Sequence, residues 1–392
     1  MNQKKITLIV LILIIITLPL FLLGIKQSLD NRSRAAVADK LEAESGTLGG
    51  NAVAISDTTA SGGSFVALGI NQANTPTPTP SQTGTGGTHT AQFLSITGGG
   101  SMPSLTGAIS VTSYGARGDG VTDDTTSIRN AANAAAASGK PLIIPATSSF
   151  YKISGPITIK GSVIGTNGMP TIKQANTSGD TSLAGIFIVT ENTTGWIYNI
   201  RFVGTYAGQY FNYRSNPPNY PNPVYPSNGE WAHAIMLKGV NGLTIKGNLI
   251  ENMWGDGISD GGPIYNRNVL IDNNTFVNAM RCEISATTLA DGWAIMNNKF
   301  THSSYYVNPI DLEPNGDPDY ITNFEIAHNQ FSITSPYPVV ELTNWFDPTP
   351  GGNIWIHDNS GKWPGEFTHQ VGYKGAPSAW TNVNISTNIK IQ

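Results

Sequence analysis

The chain has 392 residues, of which 12% are charged, and it carries 43 glycines; ordinary soluble domains are about 25% charged. The formal net charge is −4 with no basic run or stripe, which argues against nucleic acid as a partner. The single cysteine, Cys282, excludes an intramolecular disulfide and any Cys-based zinc module, and it reads as a small buried apolar residue.

Lys4 and Lys5 precede Ile6–Ile25, an uncharged apolar run that matches the roughly 20 residues a bilayer-spanning helix needs. The expectation is a single-pass anchor over residues 1–26 with a cytoplasmic tip and the rest of the chain outside. Secretion after signal cleavage is the alternative, with Ala36-Val37-Ala38 as the small-residue site. Residues 27–70 alternate short apolar and polar stretches and predict two or three short strands, a small extracellular β stalk. Within them "EAESG" (Glu42–Gly46) and "ASGGSFV" (Ala60–Val66) resemble the opening of β-sandwich carbohydrate-binding modules. The segment is too short for such a module, so no binding residue is carried over. Residues 71–106 contain "TPTPTP" and Gly/Thr-rich sequence, which predicts an extended spacer.

The character changes at about Gly107. A strand, a Gly-rich turn, an alanine-rich helix and a second strand are expected. Thr122 or Asp123 is the candidate N-cap, Asp124 suits the first turn, and Gly139 suits the position past the helix end. The stretch "YGARGDGVTDDTTSI" (Tyr114–Ile128) resembles the N-terminal signature of the pectate-lyase superfamily and related tailspike-like proteins. The resemblance implies an all-β, right-handed parallel β-helix over residues 107–392, with this segment and its α-helix as the N-terminal cap. Asp119, Asp123 and Asp124 are therefore expected to shape turns and caps rather than to catalyse.

Five segments then align on an asparagine: "LTIKGNLI" (Leu243–Ile250), "VLIDNNTF" (Val269–Phe276), "AIMNNKF" (Ala294–Phe300), "FEIAHNQF" (Phe324–Phe331) and "IWIHDNS" (Ile354–Ser360). Asn248, Asn274, Asn298, Asn329 and Asn359 recur at spacings of 26, 24, 31 and 30 residues. A period of this size means stacked units sharing one core. The asparagines are expected to form a ladder at a turn.

Each unit continues into a second strand, and alignment stacks "GDGIS" (Gly255–Ser259), "RCEIS" (Arg281–Ser285), "PIDLE" (Pro309–Glu313) and "VVELT" (Val339–Thr343). Ile258, Ile284, Leu312 and Leu342 are then one inward column, and Gly257, Glu283, Asp311 and Glu341 the outward column beside it. A further outward column holds Ser259, Ser285, Glu313 and Thr343. Arg281 leans out beside Glu283, Asp256 and Asp260 close the preceding coil, and Glu230 and His233 belong to the coil before that. Stacked carboxylates about one strand spacing apart should keep at least one protonated near neutrality. Glycoside hydrolysis needs that asymmetry, with one carboxyl as acid and another as base or nucleophile. The expected catalytic set is Asp311, Glu313, Glu283, Glu341, Arg281 and Asp256.

No cofactor is expected for hydrolysis. The alternative is Ca²⁺ held by Glu283, Asp311 and Glu341, with Arg281 abstracting a proton from a uronate in β-elimination; Arg resists that role. A non-catalytic glycan-binding or adhesive β-helix, or a structural spacer, are the remaining readings. The hydrolase motifs of polygalacturonase-like relatives are not carried over: "GDGISD" (Gly255–Asp260) fits them loosely, and no "GHG" or "RIK" is present. Trp254, Tyr265, Tyr305, Tyr306 and Trp345 are candidate sugar-stacking rings; Trp231 and Phe346 flank the same strands. The Pro/Asn/Tyr-rich stretch Tyr210–Pro226 reads as a long loop. The expected partner is a polysaccharide, with uronate-containing chains favoured, and oligomeric state is left open.

Overall fold

A computed structural model describes residues 52–56, 64–68, 90–175, 185–190, 193–206, 231–302, 308–316, 318–344, 351–371 and 379–391. Two compact units are present, 1–85 and 86–392. In the first, Ala52–Ser56 pairs antiparallel with Ser64–Leu68, as the alternating stalk sequence predicts. The apolar run Ile6–Ile25 lies outside the described residues. Among the described residues no helix is long and apolar enough to cross a membrane.

The second unit is a parallel β-helix. Among the described residues three parallel sheets of 10, 9 and 8 strands run along it, and each complete coil contributes one strand to each sheet. For example, Asn266–Asp272, Thr275–Val277 and Ile284–Ala286 make one coil, and Leu289–Met296, Lys299–His302 and Ile310–Leu312 make the next. The arrangement is consistent with a right-handed coil. One α-helix, Thr125–Ser138, caps the first coil with Ile128, Ala131 and Ala135 buried in the common core. Its left-handed C-cap is Gly139 at φ 61°, as expected. Asp124 takes the N-cap position without making a side-chain cap bond; Asp123 accepts from the Thr125 amide instead, at 3.0 Å. Asp124 is fully buried and accepts from the amides of Arg117 and Gly118, at 2.7 and 3.0 Å. Asp119 accepts from the amides of Val121 and Thr122. All three acids of the signature are thus committed to backbone donors.

Identical positions of successive coils stack, so like packs on like. In the first sheet Ile245, Ile271, Ile295, Ile326 and Ile356 form one buried column. In the second, Phe276, Phe300 and Phe331 stack with ring centroids 5.0 and 4.7 Å apart. Such pairs add about 0.5–1.5 kcal/mol each beyond the area they bury.

The turn between these two sheets carries the expected ladder. Asn248, Asn274, Asn298, Asn329 and Asn359 each use Oδ1 to accept from the coil before, and Nδ2 to reach both the next asparagine and a backbone carbonyl. Asn388 extends it by one rung. The left-handed backbone is not at the ladder asparagine but one residue earlier, at Gly247, Asn273, Asn297, His328 and Asp358. Asn298→Ala would orphan the Asn274 amide and the Ile271 carbonyl in the interior. It is expected to cost about 2–3 kcal/mol, read as a lower denaturation midpoint without change in slope.

One stretch expected to be free spacer is instead part of the fold. Gln92–Gly99 runs as a strap across the outer side of the first sheet. The amides of Gln92, Phe93 and Leu94 donate to the Glu325 carboxylate at 2.6, 2.9 and 3.0 Å. Those of Thr97 and Gly98 donate to Asn268 Oδ1, and that of Gly99 to Thr244 Oγ1. Ala91 and Ile96 pack on Ala294, Met296 and Ala327. Polar composition predicts exposure, but a polar segment docks where its backbone donors meet side-chain acceptors. The spacer expected over 71–106 therefore reaches at most to the strap.

Candidate active site

The outer face of the third sheet carries the acids. Its hydrogen-bonded register aligns Ile258, Ile284, Ile310 and Val340, with Ser285, Asp311, Glu341 and His369 in the next position. The expected stacking of Ile284 on Leu312 is therefore wrong by two residues; Leu312 lies on Ala286. A two-residue slip keeps the strand residues on their proper faces, so hydrophobic alternation cannot detect it; Glu283 precedes the strand Ile284–Ala286 and is outside that alternation. Asp311, Glu341 and Glu313 remain together, and Glu283 leaves the column.

Glu283 sits before the strand, 1% exposed, and its Oε1 lies 2.7 Å from Nδ1 of the fully buried His302. Burial pushes the Glu283 carboxyl up, and His302 opposes it. The structure therefore places Glu283 in the interior with His302, not in the column of Asp311 and Glu341. Of the alternative Ca²⁺ set, Asp311 and Glu341 pair on adjacent strands, while Glu283 lies before its strand and faces His302. Among the described residues, the acids of this face do not converge as a group of three or more ligand atoms within 4.8 Å.

Asp311 is 8% exposed and its Oδ1 has no hydrogen-bond partner. Burial first, then the Glu313 and Glu341 carboxylates, hold its pKa well above the usual range against the pull of Arg281. Glu313 is also raised by burial, but its hydrogen bond to Asp311 and the Arg281 charge draw it back. Both carboxyls are thus held above the ordinary range, Asp311 the further of the two. Glu341, one coil on and half-buried, faces His369 Nδ1 at 3.9 Å.

Below them Asp256 is a buried hub. Its Oδ1 accepts from the Cys282 amide at 3.0 Å and from Arg281 Nε at 3.3 Å; its Oδ2 accepts from Ser285 Oγ at 2.9 Å. Burial alone would raise its pKa, but Arg281, His233 and Ser285 together pull it far below the ordinary carboxylate value. The Asp256 amide donates to Nδ1 of His233 at 2.9 Å, and Asp256 Oδ2 lies 3.3 Å from the same nitrogen. Asp256 and Arg281 thus support the face from beneath, and Arg281, tied to a carboxylate, stays cationic. Cys282 is buried as expected, its thiol pushed up by burial. Asp260 is spent on Thr287 and Thr288.

The expected aromatic platform is only partly available. Trp254 is 5% exposed and packs edge-on against Tyr206 at 5.1 Å, which leaves little of its ring open for stacking. Arg267 covers one face of the half-buried Tyr265 at 4.2 Å. Trp231, 49% exposed and edge-on to His233 at 6.2 Å, is the described indole with open surface here. Tyr305, Tyr306, Trp345, Phe346, Glu230 and the stretch Tyr210–Pro226 lie outside the described residues. Sequence reasoning gave Ser285 and His233 a place in the coils but no role, and did not bring His369 to the acids; the coil register sets Ser285 beside Asp311 and His369 beside Glu341.

No protein-family model matches the chain, and no curated protein matches it. Several solved structures are similar to it. The surface adhesin PfbA of Streptococcus pneumoniae is 15% identical, with 72% of this chain and 80% of that chain covered and a TM-score of 0.47. A family 28 exopolygalacturonase of Yersinia enterocolitica is 14% identical over 73% of this chain and 66% of its own, with a TM-score of 0.47. The Dettilon tailspike protein is 13% identical over 73% and 63%, with a TM-score of 0.45. At these identities the likeness is one of fold alone.

Proposed function

We propose that the outer face of the third sheet cleaves glycosidic bonds of a polysaccharide by carboxylate acid/base hydrolysis. The observation that supports this most is the contact of buried Asp311 with half-buried Glu313, both carboxyls held above the ordinary range, with Glu341 paired to Asp311 on the next coil. A glycosidase needs one carboxyl still protonated near neutrality and a second one ionised. Asp311 is the acid in this reading. Glu313, in hydrogen-bond contact with it, is too close to act from the other side of a sugar carbon, since the two working groups must stand about 5 Å or more apart. Glu341, on the adjacent coil, is therefore the base or nucleophile, and Glu313 keeps the proton on Asp311. Arg281 offers a fixed positive charge for a uronate carboxylate. Ile6–Ile25 remains the proposed membrane anchor, resting on sequence alone, and would hold the β-helix at the cell surface.

The test is to incubate the protein with neutral and uronate polysaccharides, with and without EDTA. Hydrolysis gives new reducing ends, no unsaturated product, and no loss on chelation. An unsaturated product lost with EDTA would replace hydrolysis by metal-dependent elimination. Binding without any product would leave a glycan-binding β-helix and end the enzyme reading.

A further inference from the structure

Far from the acids, at the corner between the first and second sheets, three metal-ligating side chains meet. His328 and Asp358 occupy the left-handed turn position of consecutive coils, at φ 56° and 51°, each just ahead of a ladder asparagine. His357 is the last residue of the strand Gly351–His357 and is 3% exposed. One ligand atom from each of the three lies within 4.8 Å of the others. The two imidazoles meet edge to face, 5.7 Å between centroids, and His357 Nδ1 is 2.9 Å from Asp358 Oδ2.

What lies behind this cluster gives it the form of a built site. His357 Nε2 is 3.2 Å from Glu325 Oε1, on the side away from Asp358. A carboxylate on the far nitrogen of a ligating imidazole fixes its tautomer and orientation and raises its basicity. Glu325 is itself held by the three strap amides, and Phe93 of the strap packs edge-on over His357 at 5.0 Å. With Nε2–H directed at Glu325, Nδ1 is the ligand atom.

We propose that His328, His357 and Asp358 bind a divalent transition metal ion of the zinc class, with Glu325 as the outer-shell carboxylate. Two neutral imidazoles and one carboxylate suit zinc and its neighbours, whereas Ca²⁺ takes six to eight oxygens. Bonds of about 2.0–2.1 Å place tetrahedral ligands about 3.3 Å apart, so closing the cluster needs side-chain movements of about 1.5 Å at most. The ion would displace the proton between His357 and Asp358. Through Glu325 the site would also fasten the strap, since loading His357 fixes the carboxylate that the strap amides hold.

The experiment is calorimetric titration of Zn²⁺ into the full chain near neutral pH, with Ca²⁺ as control and Co²⁺ as a spectroscopic probe. One saturable equivalent of Zn²⁺ is expected, with tetrahedral Co²⁺ bands and no Ca²⁺ binding. His328→Asn places at this turn the residue that Asn273 and Asn297 already supply in earlier coils. It should fold normally and lose more than tenfold in Zn²⁺ affinity, as should Asp358→Asn. Glu325→Gln should lose about 10–100-fold. Absence of Zn²⁺ binding to the natural chain, or equal binding by the His328→Asn and natural chains, would overturn the proposal. Polysaccharide cleavage is read separately and does not bear on it.

Discussion

Asp311→Asn should abolish polysaccharide cleavage while making the protein more stable at neutral pH. Loss of a general acid costs about 10²–10⁴ in rate, read as product formed per enzyme with substrate binding retained. The stability gain follows from linkage. Burial and the Glu313 and Glu341 charges raise the Asp311 pKa above its unfolded value. Between the two values the folded chain binds more protons than the unfolded one, so stability falls as pH rises through that window. Asn removes the loss without changing side-chain size. The melting temperature should therefore rise at pH 7 and change little below the unfolded pKa of about 3.9. The natural chain should also lose activity as pH rises through the raised pKa, because the acid form is then depleted. A variant that keeps full activity would remove Asp311 from the chemistry.

Asp256→Ala is expected to produce the largest loss of stability. The carboxylate is 1% exposed and accepts from Arg281, the Cys282 amide and Ser285. Removing one member of a buried ion pair costs about 3–5 kcal/mol, because the partner charge and donors are left unpaired; Arg281 keeps 32% of its side-chain surface in water, so the lower end applies. The pH sign is opposite to that of Asp311. A depressed carboxyl contributes stability that is present above the unfolded pKa and lost as pH falls through the folded one. The natural chain should thus outlast the variant at neutral pH, and the gap should narrow in acid. Arg281, released from Asp256, can turn fully on Asp311 and Glu313 and lower their pKa values. The alkaline limb of the activity profile should then move to lower pH, which a purely structural defect would not cause.

Most of the architecture was legible in the residues. The cap signature marks where the coils begin, and the asparagines Asn248 through Asn359 recur once per coil. Stacking one coil on the next makes every such position a column. Two of the two or three short strands expected over residues 27–70, and the backbone duties of Asp119, Asp123 and Asp124, could be read too, since such patterns are local. The strap was not legible. Gln92–Gly99 has the composition of a linker, and what holds it is Glu325, more than two hundred residues away.

The candidate site divides along the same line. Sequence alone determined that acids face outward on one sheet of a coiled β-structure, and that Asp311 and Glu341 share a column. The tertiary structure decided the register. It exchanged Glu283 for Ser285 beside Asp311, sent Glu283 inward to His302, and set Asp256 under Arg281. It also joined His328 to His357 and Asp358, whose spacing fits no metal motif. The reason is physical: hydrophobic alternation has a period of two and tolerates slips of two, whereas backbone hydrogen bonds between coils fix the register to the single residue. Chemistry that depends on which side chains touch across coils is therefore settled only when the coils are stacked.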